Sequence, residues 1–132
     1  GKYTEKQMMD FIRGKGGLVA YLGTSDAREV EKRIADGDDH AKLVYDGMLY
    51  SAARAISGLA AGADGQVDRV ILTGGMAHSR YVVDYLTRKV SFIAPVEVMA
   101  GEFELEALAA GACRVLEGKE QMKVFDSYGA NA

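Results

Sequence analysis

The sequence predicts an α/β fold with a small, mostly parallel sheet flanked by helices. Three observations lead there. Val67-Asp-Arg-Val-Ile-Leu-Thr73 is β-branched and almost wholly apolar at its end, as strands covered on both faces usually are. Pro95-Val-Glu-Val-Met99 is a second strand pattern, with proline tolerated at its start. A helical pattern with Val82, Val83, Leu86 and Val90 on one face separates them, so the strands are joined by a parallel crossover. At 132 residues the chain suits one domain, residues 1–132.

The elements follow in order. Thr4-Glu-Lys-Gln7 is a capping box: a Thr N-cap with Gln at the third helical position. Met8, Met9 and Ile12 give that helix an apolar stripe, and it should stop before Gly14-Lys-Gly-Gly17. Leu18–Leu22 is short and apolar, and periodicity leaves strand and buried loop open. Asp26 is an N-cap for a short helix with Val30 and Ile34 on one face, closed by Asp36-Gly37. A long helix is expected over about 39–61, burying Val44, Met48, Ala52, Ile56 and Leu59. After the second strand, Gly101 turns the chain. Leu105, Leu108, Ala109, Ala112 and Leu116 then mark a last helix ending at Gly118. The tail Ser127–Ala132 fades into small polar residues, and with Gly1 at the start the chain reads as a piece of a longer one.

Composition excludes several classes. The formal net charge of -3 argues against a nucleic-acid scaffold, which usually presents a basic face. No apolar run approaches the ~20 residues that span a bilayer, so no membrane partner is expected and the cytoplasm is the default compartment. The single cysteine, Cys113, can form neither an internal disulfide nor a zinc cage, and it reads as a small core residue. No metal-ligand cluster is expected.

Chemistry concentrates at the carboxyl end of the first strand. Gly74-Gly75 stands there, just before a helix, where open α/β sheets bind ligands. Glycines let the backbone approach a phosphate or ring, and a following helix offers free N–H groups. A plain strand-to-helix turn has the same pattern, and the motif alone does not separate the two. Asp26-Ala27-Arg28 is either a polar clamp or simple helix capping. Glu102 follows the second strand, so it either reaches a metal-bound phosphate or sits in a helix first turn favoured by the dipole. His78 is a surface histidine beside the turn, and His40 falls in the first turn of the long helix. Gly14-Lys15-Gly16-Gly17 lacks the spacing of a phosphate loop and reads as a helix stop.

Three stretches together resemble a known family. GKGGLVAYLGTSDAREVEKRI (14–34), VDRVILTGGMAHS (67–79) and VSFIAPVEVMAGEFELEALAAGACRVL (90–116) resemble the C-terminal part of the butyrate kinases, in the same order and with similar gaps. These belong to the acetate-kinase family of the actin-like, sugar-kinase-like ATPases. The resemblance implies an RNase H-like half-domain and a parent enzyme that moves the γ-phosphoryl group of ATP, with Mg2+, to a short-chain carboxylate. It implies that Asp26, Ala27 and Arg28 match the adenosine-pocket segment. Gly74, Gly75 and Met76 match the glycine turn beside adenosine and the α-phosphate, and Glu102 matches an acidic catalytic residue near metal and phosphates. His78 and Ser79 stand where the acetate-kinase branch carries an acidic residue and Asn, so contacts to base or ribose differ there. The family's acyl pocket and catalytic Arg and His residues lie upstream of these stretches, so the chain alone is expected to be inactive. Intact members are oligomers, and self-association is expected. Competing readings are the same part of a propionate or acetate kinase, and a non-catalytic nucleotide-sensing module.

Overall fold

The computed structural model describes residues 2–122, so the tail Ser127–Ala132 lies outside the described residues. The chain divides into two compact units, Gly1–Gly101 and Glu102–Ala132.

The first unit opens with α1 (Glu5–Asp10), and the capping box forms as the sequence predicts. The Gln7 N–H donates to Thr4 Oγ1 at 3.3 Å while the Thr4 N–H donates to Gln7 Oε1 at 2.8 Å. The α geometry ends at Asp10, earlier than expected, and the chain widens into a π-type turn over Phe11–Lys15. Leu18–Leu22 is neither strand nor loop but the body of α2 (Gly17–Leu22). Gly23 decides this: at φ 76° it takes the left-handed closing conformation and donates its N–H to the Val19 carbonyl at 3.0 Å. Leu18 and Leu22, four apart, then share the face packed on the core, and Tyr21 stays exposed.

In α3 (Ala27–Ala35) the Asp26 side chain accepts the Arg28 N–H, and Val30 is fully buried. Arg33 locks the corner that follows. Its guanidinium donates to Asp38 Oδ2 at 2.9 and 2.7 Å and to the Leu22 carbonyl at 3.0 Å, joining the end of α2 to the start of α4. Asp38 also caps α4 (Asp39–Gly62) through the Ala41 N–H.

The buried face of α4 differs from the expected one. Ala41, Tyr45, Leu49 and Ala53 form its centre, Met48, Ala52 and Ile56 flank it, and Leu59 is 76% exposed. Tyr45 explains the offset: its ring is buried while its hydroxyl reaches Glu31, so a residue with a polar tip sits mid-core.

Strand β1 (Val70–Gly74) pairs in parallel with β2 (Val96–Ala100), with Val70 opposite Val96 and Gly74 opposite Ala100. Val67–Arg69 lie before the strand, and β2 runs one residue later than expected at each end. Pro95 precedes β2 and accepts the Val70 N–H at 3.0 Å. Between the strands runs α5 (Arg80–Val90), which buries Val82, Leu86 and Val90 as the pattern predicts. The expectation that β1 is covered on both faces does not hold among the described residues. Leu72 is buried, yet Ile71 is 54% exposed, and Met99, which pairs with Thr73 on β2, is 52% exposed. A sheet of two strands has one face on the helix-lined core, and period-two alternation turns Ile71 away from it.

The second unit contains α6 (Glu104–Leu116), where the sequence predicts a helix. No residue of α6 is buried, and Cys113 is exposed, contrary to its reading as a core residue. A lone helix has nothing in its own unit against which to bury the Leu105, Leu108 and Leu116 side chains. Among the described residues no helix is long and apolar enough to cross a membrane.

Candidate functional site at the carboxyl end of strand β1

Gly74 ends β1 with φ 81° and ψ -176°, a conformation that a residue with a Cβ rarely adopts. It exchanges hydrogen bonds with Gly101: the Gly74 N–H donates at 3.1 Å and its carbonyl accepts at 3.2 Å. The two strand ends are thereby clasped, and the chain turns sharply out of the sheet at Gly75. A single 3-10 turn, Gly75–His78, leads into α5. Ala77 is buried and anchors this turn from below, while Gly75, Met76 and His78 are exposed. Beyond the adjoining chain, no heavy atom lies within 4 Å of the place a Gly75 Cβ would occupy. The fold itself therefore leaves the space over Gly75 free. Between β1 with its following turn and helices α4 and α5 lies an apolar cleft of about 390 Å3, lined by Met48, Ala52, Ile71, Thr73 and Met76 among others.

Asp26 and Arg28 engage each other. The Arg28 guanidinium donates through Nε to Asp26 Oδ1 at 3.0 Å and through Nη2 to Oδ2 at 2.8 Å, while its backbone N–H also reaches Oδ1. The guanidinium and then the backbone N–H hold the Asp26 carboxyl down at about 2, against an ordinary 3.8. A depressed carboxyl contributes stability that is fully present above about pH 3.8 and lost as pH falls through about 2. Carbon-13 titration of the Asp26 carboxyl should give a midpoint near 2, moving part of the way back to 3.8 in Arg28→Ala. An unmoved midpoint would show that the capping N–H alone sets it. Ala27, between them, packs half-buried against the core.

Ser79 caps α5, accepting the Val82 N–H at 3.1 Å, and donates its hydroxyl to Glu31 Oε1 at 2.6 Å. The same Glu31 oxygen accepts the Tyr45 hydroxyl at 2.9 Å. Burial, then this hydrogen bond to Glu31, pushes the Tyr45 phenol well above its usual range. Glu31 carries no motif signal; its only mark in the sequence is an acidic residue beside the buried Val30 on a short amphipathic helix. Lys15 of the Gly14–Gly17 stretch pairs with Asp10 at 3.0 Å, which fits the helix-stop reading.

Of the predicted residues, Asp26 and Arg28 bond to each other at the start of α3, and Ser79 at the end of the glycine turn bonds to Glu31 further along that helix. Glu102 directly follows Gly101 in sequence and opens the second unit. It precedes Phe103, the N-cap of α6, so it is not in the helix first turn, where Glu104 and Glu106 stand. Among the described residues no group of three His, Cys, Asp or Glu could hold a metal ion.

Residues 2–111 match the family model described as the acetokinase family. The chain belongs to the acetokinase family. All the candidate segments of this acetokinase-family chain, Asp26–Arg28, Gly74–Ser79 and Glu102, lie inside the matched region. It is 47% identical over 125 residues to butyrate kinase 2 of Clostridium acetobutylicum. It is 50% identical to a probable butyrate kinase 2 of Caldanaerobacter subterraneus subsp. tengcongensis and 40% to a probable butyrate kinase of Bacteroides thetaiotaomicron. Each comparison covers 95% of this chain and 35% of the relative, so the chain spans about a third of the length of the curated relatives it matches.

Proposed function

We propose that this chain is the C-terminal nucleotide-binding domain of a butyrate kinase, which converts butanoate and ATP to butanoyl phosphate and ADP. One observation carries the reading: the glycine turn, positioned where α/β sheets take ligands, is tied by the Ser79–Glu31 hydrogen bond to α3, the helix that Asp26 caps. The names of the relatives, at 40–50% identity over nearly the whole chain, supply the substrate class.

In this reading the unit is an RNase H-like half-domain. Gly74 and Gly75 form a floor without side chains for the adenosine and α-phosphate, and the free N–H groups at the start of the following turn face the anion. Met76 offers an apolar edge to the base, Asp26 and Arg28 grip its sugar side, and Ala27 supports them from the core. His78 and Ser79 border the pocket, Ser79 mainly by holding the turn. Glu102, in the second unit, is the acidic catalytic residue that the family resemblance implies. Mg2+, bound with ATP, would supply charge neutralisation at the phosphates. Phosphoryl transfer needs positioning and charge stabilisation from several sides. This chain supplies the nucleotide side; the carboxylate pocket and the remaining cationic groups belong to the rest of the parent enzyme, a homo-oligomer.

Trapping acyl phosphate as its hydroxamate tests the assignment. The complete protein carrying this chain should form it from ATP and butyrate, and the 132-residue chain alone should stay at background. A complete protein that makes none overturns the kinase reading. Turnover by the chain alone overturns the division of labour.

A further inference from the structure

We propose that Glu31 is a positioning residue that sets the spacing between the two nucleotide-binding segments, an inference that rests on the nucleotide reading above. Asp26–Arg28 and Gly74–Ser79 are separated by more than forty residues, and neither segment alone fixes its distance from the other. Glu31 lies one helical turn beyond Ala27 and Arg28 on α3, so it moves with them. One of its oxygens, Oε1, accepts two hydroxyls, from Ser79 at 2.6 Å and from Tyr45 at 2.9 Å.

Each partner contributes something different. Ser79 is the N-cap of α5 and the residue that closes the 3-10 turn after Gly74. Donating its proton to Glu31 turns its oxygen toward the Val82 N–H, which it accepts at 3.1 Å, so the tie and the cap use one hydroxyl. Tyr45 is fully buried at the centre of α4, and its hydroxyl holds the carboxylate from the core side. Glu31 is thus fixed by α4 and in turn fixes the turn that carries Gly75. Charge-assisted hydrogen bonds of this kind are stronger than neutral ones, and the site is partly shielded from water. Displacements of about 1 Å at a positioned ligand cost up to a hundredfold in function.

Removing Glu31 alone also leaves the buried Tyr45 hydroxyl without a partner, so a structural loss would accompany the functional one. Pairing Glu31→Ala with Tyr45→Phe removes that orphaned group. Calorimetry with ADP on the complete protein reads the outcome. Tyr45→Phe alone, with the Ser79 tie intact, should hold ADP affinity within about twofold, and Glu31→Gln, which keeps an acceptor, within about threefold. The double variant should bind ADP on the order of tenfold more weakly. It should raise the ATP KM correspondingly while the butyrate KM and kcat hold, a split that mere loss of stability does not produce. Ser79→Ala cuts the same tie from the other end, and adding Glu31→Ala and Tyr45→Phe to it should weaken binding no further. A double variant that binds ADP as tightly as Tyr45→Phe overturns the proposal and leaves the nucleotide reading standing. An unsubstituted protein that does not bind ADP overturns both.

Discussion

On the proposed nucleotide reading, Gly75→Val should abolish most of the affinity for ADP and leave the fold intact. Beyond the adjoining chain, nothing lies within 4 Å of an added Cβ, and Gly75 is not among the residues held at positive φ, so the new Cβ meets neither a tertiary clash nor left-handed strain. Gly74 is a poorer probe, because its φ of 81° makes any replacement strained whatever binds there. If the space over Gly75 is where adenosine and the α-phosphate lie, two new methyl groups intrude on the ligand alone. Overfilling a close contact costs about 1–3 kcal/mol, which is roughly tenfold to a hundredfold in affinity. Calorimetry reads the affinity, and a thermal melt within a few degrees of the parent verifies the fold. A variant that folds and still binds ADP normally would move the nucleotide away from this turn.

Leu49→Ala produces the largest loss of stability expected from a single conservative change. Leu49 is 2% exposed, between the fully buried Tyr45 and the buried Ala53 on the central stripe of α4. Truncating such a leucine removes its burial and opens a cavity, at about 2–5 kcal/mol. That is a large share of the roughly 5–15 kcal/mol that holds a domain folded. Leu59→Ala, on the same helix but 76% exposed, should change stability by less than about 0.5 kcal/mol. Urea denaturation of the two variants side by side discriminates the face of α4. Equal losses would mean that the helix buries the stripe through Leu59 after all.

That comparison also marks how far the sequence was legible. Signals confined to a few residues could be read: the Thr4–Gln7 box, the Asp26 cap, Gly37 at φ 93°, and the apolar face of α5. The face of α4 was misread by one stripe because an aliphatic count overlooks Ala41 and Tyr45. Small residues and a ring with a polar tip enter this core only because neighbouring helices come close and Glu31 meets the hydroxyl. The six residues of α2 could not announce a helix, since a segment that short depends on its Gly23 closure and its packing rather than on periodicity. In the site, the glycine turn was visible because Gly-Gly after an apolar strand is a local pattern. Glu31 was not, because its role comes from a contact with Ser79 across 48 positions of chain. The exposure of Ile71 and Met99 was equally hidden, since a strand's composition does not reveal how many neighbours cover it.

Asp26–Arg28 and Gly74-Gly75 are proposed to form one nucleotide site. Its most direct measurement is an ADP titration of the unsubstituted chain, following the backbone amide resonances of Asp26, Arg28, Gly74 and Gly75, with Glu102 followed alongside. All four amides should shift along one saturation curve with one midpoint, and Gly75→Val should remove the shifts together. Shifts confined to one of the two segments, or none at saturating ADP, would contradict a shared site.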